Sequence, residues 1–270
     1  MRRPARSNGP LLPTPQRLHE LTRDTSASLA LLRAGRLDIV GRLTDASNAT
    51  FVCRLLDTGD AAGAGDAGDA DPTVVYKPIR GERPLDDFPR ATLSNREVAA
   101  FVLSDATGWE VVPPTVGRDG PFGPGMVQLW IEVDPEADVL EMIVAGDPRL
   151  RRVAIFDVLA NNADRKGGHL LPTPEGHVYG VDHGICFAVD PKLRTVLWGW
   201  RGTDLDDQEL EVVRAVRASL DDGGPLATDL GELLHPDEVR ATRLRAEALL
   251  AAGRFPEPDP SRPALPWPPF

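Results

Sequence analysis

The sequence predicts an α+β protein of two lobes, a β-rich one followed by a mainly helical one. Three observations carry this expectation. Residues 35–132 read mostly as short strands separated by turn-rich clusters, with one helix among them. Residues 136–253 read mostly as helices with recognisable start and stop signals. A length of 270 residues suits one large domain or two small lobes.

In chain order, residues 1–16 are rich in proline and arginine and lack periodicity, so they read as a disordered arm. Residues 17–132 form the first lobe. Strands over 37–43 and 50–56 flank Asp45-Ala46-Ser47-Asn48-Ala49, a hairpin-like turn, and a third strand covers 73–79. Residues 57–72 between them are an Ala/Gly/Asp insert with no basic residue, expected to be a flexible loop. A helix over 94–104 follows, then strands over 111–117 and 126–132. The second lobe, 133–255, carries helices over 150–160, 205–220 and 236–252, and a short β segment over 176–189. The last helix has Pro236 at its first position and stops at Gly253. Residues 256–270 hold seven prolines in fifteen positions and should be extended or irregular, with Trp267 and Phe270 available to pack back on the body.

Composition removes several function classes. Thirty Lys+Arg against forty-one Asp+Glu leave a net charge of −11, the wrong sign for sequence-independent binding to nucleic acid or anionic lipid. No apolar run approaches the ~20 residues of a membrane span. The basic start MRRPARSNGP lacks a following apolar stretch, so it does not read as a signal peptide, and a cytoplasmic protein without stable membrane association is expected. Cys53 and Cys186 alone cannot make a disulfide scaffold or a cysteine-type zinc module. Only three of the thirty basic residues are lysines: Lys77, Lys166 and Lys192.

The densest polar cluster runs Asn161-Asn162-Ala163-Asp164-Arg165-Lys166-Gly167-Gly168-His169, directly after an amphipathic helix. Alone it reads equally as a helix cap and connecting loop. Eighteen residues after Asp164 comes Val181-Asp182-His183-Gly184. Phosphoryl-transfer enzymes of the kinase type use an Asp that receives the acceptor proton, a metal ligand five residues on, and an Asp-x-Gly on a following strand. Asp164, His169 and Asp182 keep that order. In the first lobe, Lys77 lies in the apolar strand Val74-Val75-Tyr76-Lys77-Pro78. There it reads either as a guard of a sheet edge or as a phosphate-holding cation. Glu97 on the following helix reads two ways as well. Ser94-Asn95-Arg96-Glu97 fits a capping box, and Glu97 is equally placed to pair with Lys77. Ser47 and Asn48 sit in the turn where a phosphate-covering loop would lie. No Walker-type glycine loop is present.

On these segments the chain resembles the phosphatidylinositol 3-/4-kinase-like branch of the kinase superfamily. It is most similar to type II phosphatidylinositol 4-kinases, to toxin-type bacterial serine kinases and to actinobacterial kinase-like proteins. The likeness rests on Tyr76-Lys77-Pro78; on the Glu97 helix with Val111-Val112-Pro113; on Gln128-Leu129-Trp130-Ile131-Glu132; and on Asn162-Ala163-Asp164-Arg165 with Val181-Asp182-His183-Gly184. It spans about residues 37–200 and implies a bilobal protein-kinase-like fold and an ATP-dependent phosphotransferase. Lys77 would contact the ATP phosphates and Glu97 would orient it. Leu129, Trp130 and Ile131 would lie beside adenine. Asp164 would act on the acceptor hydroxyl, with Lys166 steadying the transferred group. Asp182, with His169, would hold Mg²⁺ or Mn²⁺.

His169 departs from the family's asparagine. A neutral imidazole suits Zn²⁺ or Mn²⁺ better than Mg²⁺. Trp198 and Trp200 read as anchors of the second lobe's core, or as a lining for the acceptor. The chain lacks the cysteine-rich, acylated insert of the type II lipid kinases, so a protein or small-molecule acceptor is expected before a lipid. Two other readings use the same fold: a nucleotide-binding pseudokinase and an AMP transferase. A third is a metallohydrolase built on His169, His177, Asp182 and His183.

Overall fold

The computed structural model describes residues 25–43, 48–56 and 71–270. Ser47, the arm and most of the Ala/Gly/Asp insert lie outside the described residues. The first lobe opens with α1 (Thr25–Ala34), followed by β1 (Arg36–Leu43), β2 (Thr50–Leu56) and β3 (Thr73–Pro78). Then come α2 (Leu93–Thr107), β4 (Thr115–Gly120) and β5 (Gly123–Leu129). The strands form one antiparallel sheet in the order β1-β2-β3-β5-β4. The second lobe holds α3 (Val139–Ala145), α4 (Arg151–Ala160), the two-stranded ribbon β6 (Leu170–Pro172) and β7 (Val178–Gly180), then α5 (Asp207–Ser219), α6 (Pro225–Gly231) and α7 (Pro236–Ala252). This is the α+β arrangement expected from the sequence, a β-sheet lobe followed by a mainly helical one.

Alternation along β3 decides which residues face the space between the lobes. Val74 and Tyr76 are buried with Leu32, Cys53, Leu55 and Val127 in the first lobe's core. The period of two therefore sends Val75 and Lys77 to the opposite face. The second lobe's larger core joins α4, α5, α6 and α7, and it also takes in Ala99, Ala100 and Leu103 of α2. Helix α2 thus belongs to both lobes. Its position is locked by Arg96, 1% exposed, which bonds Glu238 of α7 at 2.6 Å and the Cys186 carbonyl at 2.7 Å. Glu238 also accepts from the His235 N–H at the start of α7, so one carboxylate closes that helix and anchors α2.

The start of α2 answers the ambiguity over Glu97. Thr92, at the N-cap, makes no side-chain cap bond. The Glu82 carboxylate instead accepts from the Leu93 N–H (3.2 Å), the Ser94 N–H (2.8 Å) and the Ser94 hydroxyl (2.8 Å). A distant carboxylate thus supplies the negative charge and the acceptors that a helix start needs. Glu97 is released from capping. Glu82→Ala should cost about 1–2 kcal/mol in a urea melt, the size of a lost helix cap; an unchanged midpoint would mean that water replaces the carboxylate.

Some boundaries differ from expectation. The strand expected over 111–117 begins only at Thr115, because Pro113 and Pro114 have no N–H to offer a ladder. The β segment expected over 176–189 is only three residues long. Asp182 (φ 61°) and Phe187 (φ 66°) adopt left-handed backbone, which ends the extended run. The shorter helices α1, α3 and α6 were not anticipated. The tail is irregular, as expected. Phe270 packs back on the body, but Trp267 is 89% exposed and does not.

Candidate active site

Between the lobes lies a cavity of about 470 Å³. The sheet contributes Thr50, Val75, Lys77, Gln128 and Leu129, and the link to the second lobe contributes Trp130 and Ile131. The far wall is formed by Asp164, Lys166, His169 and Asp182. Asn48 lines the rim. Its Oδ1 accepts from the Arg83 N–H at 2.8 Å, tying the β1–β2 turn to the segment that leads into Glu82.

At the centre, Lys77 Nζ lies 2.5 Å from Glu97 Oε1 and 2.9 Å from Asp182 Oδ1. The other oxygen of Glu97 accepts from the His183 N–H at 2.9 Å. One carboxylate therefore joins β3, α2 and the loop after β7. Burial opposes the charge on Lys77, but Asp182 and Glu97 outweigh it and hold its pKa above the ordinary lysine value. Glu97 is pushed up by burial, against the pull of Lys77. Asp182 is pulled down by Lys77 although burial works the other way. Its left-handed φ of 61° is a strained conformation for a residue with a side chain, and it turns the half-exposed carboxylate into the cavity.

The Asn-x-Asp-Arg segment divides its labour. Arg165 is fully buried. It bonds Asp157 at 2.9 Å, the Val181 carbonyl at 2.9 Å and His183 Nε2 at 2.5 Å. Asn162 donates to Asp157 at 2.9 Å and accepts from the Asp164 N–H at 3.0 Å. Asn161, left-handed at φ 52°, closes α4 and binds the Ala188 and Asp190 carbonyls. Only Asp164 and Lys166 turn towards the cavity, with Lys166 Nζ 3.4 Å from Asp164 Oδ2. Burial pushes the Asp164 carboxyl up from its ordinary value, with Lys166 acting in the opposite direction.

His169 Nε2 stands 3.5 Å from Asp182 Oδ2. Burial drives its pKa down to about 4, which favours the neutral ring near pH 7. Asp182 and His169 form a pair of donors. No group of three or more His, Cys, Asp or Glu suited to a metal ion exists among the described residues. The metallohydrolase cluster is not assembled. His177 reaches out to the Glu110 carbonyl, and His183 is buried against Arg165 and the edge of Phe156. Because Arg165 donates to His183 Nε2, the neutral ring carries its proton on Nδ1, which is buried with no partner among the described residues.

Where the sheet leads into the second lobe, Leu129 and Trp130 spend their N–H groups on the carbonyls of Pro114 and Thr73. The Ile131 N–H has no backbone partner among the described residues. Trp200 packs on the second lobe's core against Phe255, as the anchoring reading has it, and Trp198 donates to the Ala264 carbonyl. Local sequence patterns did not single out Glu82 or Asp157, and for Phe270 they gave only that it could pack on the body, not that it meets Gly167. Asp157 had a usable signal, since an acid next to Phe156 on the apolar face of a helix requires a buried partner.

No protein-family model matches the chain. Among the described residues no helix is long and apolar enough to cross a membrane. Among solved structures, the Helicobacter pylori proinflammatory kinase CtkA aligns over 81% of this chain and 98% of its own, with a TM-score of 0.42 and 11% identity. A phosphatidylinositol 4-kinase gamma 4 from Oryza sativa subsp. japonica is 28% identical over 111 residues, 34% of this chain and only 20% of that protein. Protein Rv2133c of Mycobacterium tuberculosis is 42% identical over 276 aligned residues, which cover 89% of this chain and 95% of the relative. The chain belongs to the family of that mycobacterial protein.

Proposed function

We propose that this protein is an ATP-dependent phosphotransferase that moves the γ-phosphate of ATP to a hydroxyl of a protein or small molecule. The observation that carries the reading is the convergence of Lys77, Asp182 and Asp164 on one cavity between the lobes, with the buried Glu97 holding Lys77 from behind. A protonated lysine held by a buried carboxylate supplies a fixed positive charge for phosphate oxygens. Ile131 lines the same cavity, and its N–H, without a backbone partner among the described residues, is the amide we assign to the adenine edge. Asp164 stands on the far wall, where it receives the proton of the acceptor hydroxyl as oxygen attacks the γ-phosphorus and the bond to the β-phosphate breaks, releasing ADP. Its raised pKa makes it the stronger base.

The donor set suits a hard divalent ion. Mg²⁺ is usually held by one or two carboxylates together with substrate phosphates, and Asp182 presents a half-exposed carboxylate. Bound there, the ion would neutralise phosphate charge. His169, a nitrogen donor, favours Mn²⁺ over Mg²⁺ in that position. Likeness to a phosphatidylinositol 4-kinase segment supports placing the chain near that branch. The net charge of −11 favours a protein or metabolite acceptor over a lipid headgroup at an anionic surface.

Thermal-shift titration with ATP, with and without Mg²⁺ or Mn²⁺, tests this reading. Saturation at ~100 times the dissociation constant should stabilise the protein by about 2.7 kcal/mol. Lys77→Met should weaken ATP binding roughly tenfold to a hundredfold, the worth of a charge-assisted contact. Glu97, already inclined towards the neutral form by burial, can take up a proton and so limit the damage to folding. No shift with any metal in the wild type would refute the nucleotide site.

A further inference from the structure

After α7 the chain turns back across the second lobe and reaches the loop that carries Asp164. The Ala264 carbonyl accepts from the Thr195 N–H at 3.1 Å and the Trp198 indole N–H at 2.9 Å. Arg262 donates to the Pro191 carbonyl. The Pro269 carbonyl accepts from the Gly167 N–H at 2.8 Å. Residues 194–196 are themselves bonded to the same loop. The Arg165 N–H reaches the Arg194 carbonyl at 2.9 Å, and the Val196 N–H reaches the Arg165 carbonyl at 3.1 Å. Loop, middle segment and tail are therefore each bonded to the other two.

Gly167 and Gly168 differ within this arrangement. A Cβ on Gly168 would meet nothing within 4 Å, whereas one on Gly167 would run into the Phe270 ring. Gly167 is not left-handed, so its lack of a side chain answers to the ring and not to φ. Gly167 and Gly168 lie between two residues whose side chains line the cavity, Lys166 and His169. Two consecutive glycines are conformationally loose. An outside restraint on the first of them therefore bears directly on where Lys166 stands against Asp164.

We propose that residues 264–270 are a positioning element of the catalytic loop, with Pro269 and Phe270 setting the turn that places Lys166 and His169. The inference rests on the phosphotransferase reading of that loop. Phe270 does not reach the reacting atoms; it acts through Gly167. Nucleotide affinity depends mainly on groups of the first lobe and on Asp182, so the tail should affect transfer more than ATP binding.

The test compares four full-length proteins: wild type, Gly167→Ala, Phe270→Ala and the double variant. ATP turnover gives kcat and KM, thermal shift gives ATP affinity, and hydrogen exchange follows peptides covering residues 162–170. Gly167→Ala should lower kcat by about tenfold or more, with ATP affinity within about twofold of wild type. Phe270→Ala should lower kcat less and speed exchange in the loop. The double variant should recover to the Phe270→Ala level, because the added methyl no longer meets a ring. Wild-type kcat in Gly167→Ala, no recovery in the double variant, or unchanged exchange in Phe270→Ala would each overturn the inference. Should Gly167→Ala not fold, kcat and exchange of Phe270→Ala decide alone. A wild type that neither shifts with ATP nor turns it over overturns the phosphotransferase reading and the positioning role with it. An active wild type with tail-independent kcat overturns the positioning role only.

Discussion

Asp164→Asn should bind ATP as the wild type does and lose transfer by about 10²–10⁴-fold, the contribution of a positioned base. The carboxamide keeps the shape of the carboxylate but cannot accept the acceptor's proton. The backbone of residue 164 stays in place because Asn162 Oδ1 holds its N–H. Lys77, Asp182 and the Ile131 amide are untouched, so the ATP-induced shift should persist. Stability has a defined sign as well. Burial raises the Asp164 pKa, so the fold binds this proton more tightly than the unfolded chain does. The charged form therefore lowers stability once pH rises above the unfolded value. Asparagine removes that cost, and the melting temperature at neutral pH should stay level or rise. Inactivity without loss of stability separates a base from a structural acid. Near-wild-type turnover, or a melting temperature lower by many degrees, would remove Asp164 from the chemistry.

The parts of this site that were legible in the sequence are those governed by short-range geometry. A strand's period of two puts Val75 and Lys77 on one face and Val74 and Tyr76 in the core. The Pro and Gly bounds of α7 follow from local caps, and the structure has Pro236–Ala252 as read. Glu97 was not decidable locally, because the spacing from Ser94 fits a capping box and an ion pair equally well. The decision came from Glu82, eleven residues before the helix begins, whose carboxylate does the capping. The β segment over 176–189 was overread because its hydrophobic pattern carries no sign of the left-handed turns at Asp182 and Phe187. The tail's grip on Gly167 was beyond sequence reading for a similar reason. The glycine pair announces a loop, but not that a ring about a hundred residues later is what fills the space beside it.

Asp157→Ala should be the most damaging single change to the fold, at about 3–5 kcal/mol, the cost of breaking a buried ion pair from one side. Asp157 and Arg165 are both fully buried. The carboxylate accepts from Arg165 Nε at 3.0 Å, from Arg165 Nη2 at 2.9 Å and from Asn162 Nδ2 at 2.9 Å. Alanine would leave the guanidinium with the Val181 carbonyl and His183 but no counter-charge. At ~2–4 °C per kcal/mol for a chain of this size, the melting temperature should fall by roughly 6–20 °C. A loss below about 1 kcal/mol would mean that water enters to solvate Arg165. Replacing both partners by apolar residues, as in Asp157→Leu with Arg165→Met, should recover much of the stability, because the desolvation of both charges is then avoided. It should not recover turnover. Asn162 would lack the carboxylate that orients it, and through Asn162 Oδ1 the Asp164 backbone would lose its hold. A stable but inactive double variant would identify the buried pair as the device that aims the loop. Full activity in that variant would mean that packing alone suffices to place Asp164.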